Sequence, residues 1–369
     1  MINEIYIDNY NCLVNFRVRP KSFQLWLGDN GSGKSSVLHA IRSIQRLMRG
    51  AHVDDVFDPR ALTAWDKRRE QTVGLVLTIE GERYDYSIVV EHSPAEGKRR
   101  IAREELLWNG SRFFLFDGHE AHLFRQNRTT EKVEQGASFP ADWSRSVIPT
   151  VAKRDDNVPL VRFREELEKI LLIHPVPMAM QETALSESRL LSEHGENFAR
   201  WYRHVLQEWP AIGYEAKRQL EDVLPGFGQL SLKESGEFRR LMATFRITDN
   251  DYAFDFAELS DGQRQLVLLY TVLEALRLGV FSSVFIDEPD NFISMREIQP
   301  WLDNLNSMCD EFDRQAIIIS HHPEVVNRMA RGEELWFSRK EGSHVEAVPF
   351  PVVEGITPAE VMARGWENE

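Results

Sequence analysis

Residues 28–35 read "GDNGSGKS", and this octet narrows the possible folds more than any other stretch of the chain. It fits G-x-x-x-x-G-K-[S/T] at Gly28, Gly33, Lys34 and Ser35, a pattern whose glycines let the backbone curl until successive N–H groups converge on one anion. The flanks supply what such a loop requires. Phe23, Leu25 and Leu27 form a short apolar run suited to a buried strand, while Val37, Ile41, Ile44 and Met48 recur at helical spacing after the loop. Strand, loop and helix in that order bring phosphate oxygens to a helix N-terminus. The expected phosphate contacts are Asn30, Gly31, Ser32, Gly33, Lys34, Ser35 and Ser36. Lys34 would reach the β- and γ-phosphates, the Ser35 hydroxyl would coordinate Mg²⁺, and Ser36 would bond an α-phosphate oxygen. The plain alternative is a glycine-rich turn beside a solvated lysine.

Three further stretches carry chemistry. In "FAELSDGQRQLVLLYTVLEAL", residues 256–276, a polar turn runs into an apolar helix, with Ser260 as its expected N-cap and Leu266, Leu269, Leu273 and Leu276 as its buried stripe. Ser260, Gly262 and Gln263 would stand at a positive dipole end. Taken alone, this stretch also fits an ordinary capped core helix. In "SSVFIDEPDNF" an apolar strand ends on adjacent carboxylates, Asp287 and Glu288, which repel one another unless a cation is near. With a phosphate loop in the same chain that cation is Mg²⁺ on Asp287, leaving Glu288 to orient or deprotonate a water; an acidic turn before Pro289 is the alternative. In "QAIIISHHPEVV" a strand over 316–319 runs into Ser320, His321 and His322. No cysteine or carboxylate spacing supports a metal at the histidine pair, and His321 reads better as a polar switch reaching the γ-phosphate, with His322 its neighbour.

Composition excludes several classes. A chain of 369 residues exceeds the roughly 250–300 at which single cores stop growing, so a composite head or two lobes is expected. No stretch approaches the ~18 uninterrupted apolar residues of a membrane span. The N-terminal "MINEIYIDNYNCL" lacks a basic and then apolar leader, and two cysteines, Cys12 and Cys309, give no metal spacing or disulfide framework. The expectation is a soluble cytoplasmic protein without a membrane partner. A net charge of −14 has the wrong sign for nonspecific coating of nucleic acid. Nucleic acid stays possible through local patches, namely Arg42, Arg46 and Arg49 on one helix face and Lys98, Arg99, Arg100 and Arg103 in a basic turn; solvated faces are the alternative.

Phosphate loop, "LSDGQ", "FIDEP" and "SHHP", in that order, resemble the ABC-type ATPases: Walker A, signature, Walker B with its glutamate, and switch histidine. The interval between Lys34 and Ser260 is wider than in a transporter nucleotide-binding domain and far too short for the coiled-coil arm of an SMC-like protein. No heptads or internal repeats fill it. Residues 72–90 and "RIAREELLWNGSRFFLFD" read as β-hairpins turning at Glu80-Gly81 and Asn109-Gly110. Residues 130–158 look like a connector, and 163–224 are largely helical, closing at Pro225-Gly226. "GHEAH" over 118–122 reads as loop, "ELWFSRKEGSHVEAVPF" as a terminal hairpin, and 354–369 as a short tail.

The whole is similar to compact predicted ATPases of the SMC, RecF and OLD-like group, of the kind that serve as ATPase subunits in bacterial anti-phage defence. That resemblance implies an α/β fold, an ABC-type P-loop ATPase head with a β-rich N-terminal lobe and a helical insertion. Its expected parts are an ATPase lobe over 1–130, connector and insertion over 131–224, and a second ATPase lobe over 225–369 with signature, Walker B and switch. It also implies ATP and Mg²⁺ as cofactors, Glu288 and His321 as catalytic groups, and a homodimer or higher homo-oligomer in which Ser260, Gly262 and Gln263 close over the partner's nucleotide. Nothing after His321 resembles the nuclease of the OLD-like enzymes, so a separate effector, nuclease or toxin, is expected; a RecF-like DNA clamp is the alternative. Two departures stand out. His322 takes the serine position of the switch motif, and Ser294 stands where transporters carry the D-loop aspartate. Gln71 and Gln181 are the candidates for a Q-loop glutamine.

Overall fold

The computed structural model describes residues 1–93, 97–127, 132–330, 332–339, 344–351, 353 and 355–365. Along the chain run β1 (Ile2–Asp8), β2 (Phe16–Val18), β3 (Phe23–Leu27), α1 (Lys34–Met48), α2 (Val53–Val56), β4 (Glu70–Ile79), β5 (Glu82–Ser93), β6 (Lys98–Trp108), β7 (Ser111–Phe116), β8 (Glu120–Gln126) and β9 (Val133–Pro140). Then come α3 (Val158–Glu168), β10 (Ile170–Ile173), β11 (Thr183–Ala184), α4 (Phe198–Glu208), α5 (Pro210–Val223), β12 (Phe227–Ser235), β13 (Phe238–Ile247) and β14 (Asn250–Asp255). The last stretch holds α6 (Asp261–Arg277), β15 (Ser283–Asp287), α7 (Met295–Phe312), β16 (Gln315–Ile319), α8 (Pro323–Met329), β17 (Leu335–Arg339), β18 (Val345–Pro349) and α9 (Pro358–Arg364).

Two large sheets organise these elements. One is antiparallel, in the order β2-β1-β4-β5-β6-β7-β8-β9; the other runs β10-β15-β16-β3-β17-β18 and is parallel except for β18. The expected hairpins are present. At both two-residue turns, Glu80-Gly81 and Asn109-Gly110, each residue has positive φ, the backbone that lets right-twisted strands reverse directly. The parallel sheet explains the near-continuous apolar runs around its strands, because it is buried on both faces. Val284 and Ile286 of β15 belong to the core shared with α4, α5, α6 and α7, whereas Phe285 between them belongs to the core shared with α1, α3 and the antiparallel sheet. The fold is thus the α/β architecture, with a parallel sheet carrying the motif strands, that the sequence predicts.

Several local expectations need correction. The connector and helical insertion over 131–224 also contain β9 and β10, and β10 is the edge strand beside β15. Its four residues, "ILLI", are too short for periodicity to separate strand from helix. "GHEAH" is not loop throughout, since β8 begins at Glu120 and pairs with the solvent-exposed β9. Lys98 to Arg103 lie on β6 rather than in a turn, and Arg99, Arg100 and Arg103 pair with Asp54, Glu91 and Glu105. Arg42 faces inward, bonding the Leu172 carbonyl at 3.0 Å and Glu193 at 2.5 Å. The C-terminal tail contains α9, which packs against α8, although 354 and 366–369 lie outside the described residues, as do 340–343 of the segment expected to form the terminal hairpin. α6 is buried nearly all round from Gln265 to Leu276, not on one stripe, because it lies between the sheet, α5 and α7.

Candidate functional site

The carboxyl ends of β3, β10, β15 and β16 meet along one edge of the parallel sheet, where open α/β sheets bind their ligands. The loop after β3 turns there into α1. Gly33 caps α1 with φ +95, and a side chain at this position would also collide with Leu13 and Cys12, its Cβ only 2.8 Å from Leu13 Cδ2. Lys34 is 6% exposed, and its ammonium donates to the carbonyls of Gly28 and Asp29 and to Ser32 Oγ. Burial lowers its pKa to about 8, with Asp287 and Asp29 pulling the other way. A cation desolvated to this degree gains strongly from an anionic partner, and triphosphate oxygens are the partner the loop geometry suits.

Asp287 ends β15 opposite Ile319 of β16, and the Ser35 hydroxyl donates to its Oδ2 at 2.9 Å. Burial raises the Asp287 pKa, Ser35 partly opposing it. A hydroxyl and a buried carboxylate in contact form a hard oxygen pair, and Mg²⁺ fits that donor set. Glu288 follows in left-handed backbone, φ +53, with its N–H donating to the Ile319 carbonyl and its Oε2 accepting from Asn291 Nδ2 at 2.8 Å. That backbone is uncommon for a residue with a Cβ, and such strain clusters where a side chain must be aimed. His321 lies beyond β16 with its pKa lowered, by burial first and by Lys34 second, so the ring is biased toward neutral. Residues 30–36, His174, Asp287, Glu288 and His321 enclose a cavity of about 230 Å³.

Ser260, Gly262 and Gln263 do not line this cavity. They open α6 with a reciprocal cap: Ser260 Oγ accepts from the Gln263 N–H, and Gln263 Oε1 accepts from the Ser260 N–H at 2.9 Å. The Ser260 amide is thereby engaged by Gln263, and the helix dipole with the next N–H groups remains. α6 is tied to the acidic turn from within the chain. Gln265 Nε2 donates to the Pro289 carbonyl at 3.1 Å, and a Cβ at Gly262 would lie 2.6 Å from the Phe292 carbonyl oxygen.

The family model described as "AAA domain, putative AbiEii toxin, Type IV TA system" matches residues 27–327. The chain belongs to this family. A curated relative, the uncharacterized ABC transporter ATP-binding protein C825.01 of Schizosaccharomyces pombe, is 24% identical over 161 residues. The match covers 44% of this chain but only 18% of that protein. Among solved structures, the SMC head bound to the C-winged helix domain of ScpA shares the fold with a TM-score of 0.60 at 15% identity, covering 96% of this chain and 99% of the other. The Smc head domain with an extended coiled coil, bound to the C-terminal domain of ScpA derived from Pyrococcus furiosus, gives 0.55 at 14% identity, covering 100% and 99%. Family and fold agree: this is an AAA-domain chain with the α/β fold of an ABC-type, SMC-like ATPase head.

In this AAA-domain chain three residues near the site escape a reading of motifs alone. His174, which directly follows β10, brings Nδ1 to 3.9 Å from Asp287 Oδ2, and only the unrecognised strand could have pointed to it. Asn291 holds Glu288, and a short amide three residues after a carboxylate at a strand end was the available signal. Asn11, in left-handed backbone between β1 and β2, donates from Nδ2 to Ser36 Oγ at 3.1 Å. Neither Q-loop candidate lines the cavity; Gln71 is buried on β4, bonded to the Asn9 and Ala61 carbonyls and to His92. Ser294 caps α7 in a capping box with Glu297, a local role that accounts for serine at this position. His322 caps α8, accepting from the Glu324 N–H. Among the described residues no group of three or more His, Cys, Asp or Glu is arranged to hold a metal ion, and no helix is long and apolar enough to cross a membrane.

Proposed function

We propose that this ATPase binds ATP with Mg²⁺ in the cavity between residues 30–36 and the carboxylates, and closes around it with a second copy of itself. On this reading hydrolysis then releases the pair. The observation that carries the proposal is a division within the chain: phosphate loop, acidic strand end and switch histidine share one cavity, whereas the signature turn lies outside it. A helix N-terminus with unspent N–H groups, set apart from its own chain's phosphate site, suits a phosphate held by another copy. Mg²⁺ held at Ser35 and Asp287 would neutralise phosphate charge. Lys34 exchanges its loop carbonyls for β- and γ-phosphate oxygens, Glu288 accepts the proton of the attacking water, and His321 donates to the γ-phosphate side.

The switch drives a separate effector, nuclease or toxin, in an anti-phage or toxin–antitoxin setting. The family's description as a putative AbiEii toxin of a type IV system supports that context, and the similar SMC heads are structures in which a head is bound to a domain of another polypeptide. The RecF-like alternative, a DNA clamp, loses support because Arg99, Arg100 and Arg103 are matched by carboxylates and Arg42 is turned inward. Steady-state ATPase assays with nucleotide-binding measurements test the chemistry. Glu288→Gln is expected to lower turnover by roughly 10²–10⁴-fold while ATP still binds, and Lys34→Ala is expected to abolish binding. Full turnover by Glu288→Gln would remove Glu288 from the reaction.

A further inference from the structure

A triphosphate seated on residues 30–36 continues past Ser36 into ribose and base, so what stands beyond Ser36 decides which base the site accepts. Two loops and the C-terminal hairpin meet there. The turn between β1 and β2 touches the phosphate loop twice, through Asn11 Nδ2 on Ser36 Oγ at 3.1 Å and through Cys12 Sγ, 3.8 Å from the Gly31 carbonyl. The Asn11 N–H donates in turn to the Ala61 carbonyl at 2.6 Å, and the Asn9 side chain accepts from the Thr63 N–H, which fixes the segment leading into Trp65. From the other side, Val345 of β18 lies 3.6 Å from the position a Gly33 Cβ would take, and its cross-strand partner on β17 is Arg339. The Arg339 guanidinium sits over the Trp65 indole, 5.0 Å from the ring centroid. It is also near enough to Cys12 to oppose the upward push that burial gives that thiol.

Trp65 is 44% exposed, unusual for an indole not fixed in a core. A planar cation held over a part-exposed indole offers two flat groups against which another π-system can stack. We propose that Trp65 and Arg339 form the stacking platform for the nucleobase, and that the site therefore prefers purine to pyrimidine triphosphates. The proposal rests on the ATP reading above. Stacking scales with ring area and is indifferent to the hydrogen-bonding edge, so ATP and GTP should bind alike and CTP more weakly.

Calorimetric titration of the full chain with ATP, GTP, CTP and inorganic tripolyphosphate separates base from phosphate. Trp65→Ala and Arg339→Lys, the second keeping the charge but losing the plane, are expected to weaken ATP by roughly 5- to 50-fold and leave tripolyphosphate unchanged. Trp65→Phe should restore most of the loss. Unaltered ATP affinity in both variants, equal losses for ATP and tripolyphosphate, or wild-type affinity for CTP matching that for ATP would each overturn the platform while leaving the phosphate site standing. A wild-type chain that binds neither ATP nor tripolyphosphate would remove the phosphate reading itself, and the platform with it.

Discussion

Glu104 is fully buried in β6, and its Oε1 accepts from the hydroxyls of Tyr86 and Ser146, both at 2.8 Å. Burial dominates those bonds and raises the carboxyl from 4.5 to about 7. Oε2 lacks a partner among the described residues, so the proton belongs there. Because the folded pKa is raised, the stability this group contributes is complete below pH 4.5 and is lost as pH rises through 7. Glu104→Gln should abolish that slope. Urea unfolding is expected to show the wild type losing on the order of 3 kcal/mol relative to the variant between pH 5 and pH 9; parallel pH profiles would show that the carboxyl is ionised in the fold. Gly262 sits at a closer constraint, with a backbone oxygen in the path of any Cβ. Gly262→Ala must displace α6 from the turn after Glu288, at about 1–3 kcal/mol. Since Gly262 does not line the phosphate cavity, ATP binding to the isolated chain should persist while hydrolysis falls; loss of both would mean the two elements are not separable in this way.

At the scale of elements, the parts legible in the sequence are those whose local chemistry leaves one choice. The octet at 28–35 admits a strand before it and a helix after it, and Asn109-Gly110 can only reverse two strands tightly. Ser260 and Gln263, three apart before an apolar run, announce the cap of α6. What stayed hidden depends on partners remote in sequence. β10 is a strand because Leu172 pairs with Phe285, over a hundred residues away, and β9 is a strand because β8 offers it an edge. His174 was invisible for the same reason, since only β10 carries it to Asp287. The join between α1 and β10 is itself a test. Gln45 Nε2 donates to the Leu167 and Ile170 carbonyls at 2.8 and 2.7 Å inside the core. Gln45→Leu strands those acceptors and should cost about 1–3 kcal/mol, read as a lower denaturant midpoint at constant slope. An unchanged midpoint would mean that the helix and the edge strand hold together by packing alone.

On the scale of the whole molecule, the proposed function has each chain present half of what ATP requires. The parallel sheet brings Lys34, Asp287, Glu288 and His321 to one cavity, and α6 starts elsewhere, held to the acidic turn through Gln265 and Gly262. In the proposed cycle that coupling would give hydrolysis a route outward, from Glu288 through the turn over 289–293 to the first turn of α6, the surface proposed to meet a second copy. Nucleotide affinity and assembly should therefore be linked, ATP strengthening self-association and self-association strengthening ATP binding by the same factor. The sharpest test is the mass of the Glu288→Gln variant by analytical ultracentrifugation, with and without ATP and Mg²⁺. The variant is expected to be a monomer that becomes a dimer only with ATP, and to stay monomeric when Gly262 is also replaced by a bulky residue. A mass unchanged by ATP, or a dimer indifferent to Gly262, would mean that ATP is not held between two copies through the first turn of α6.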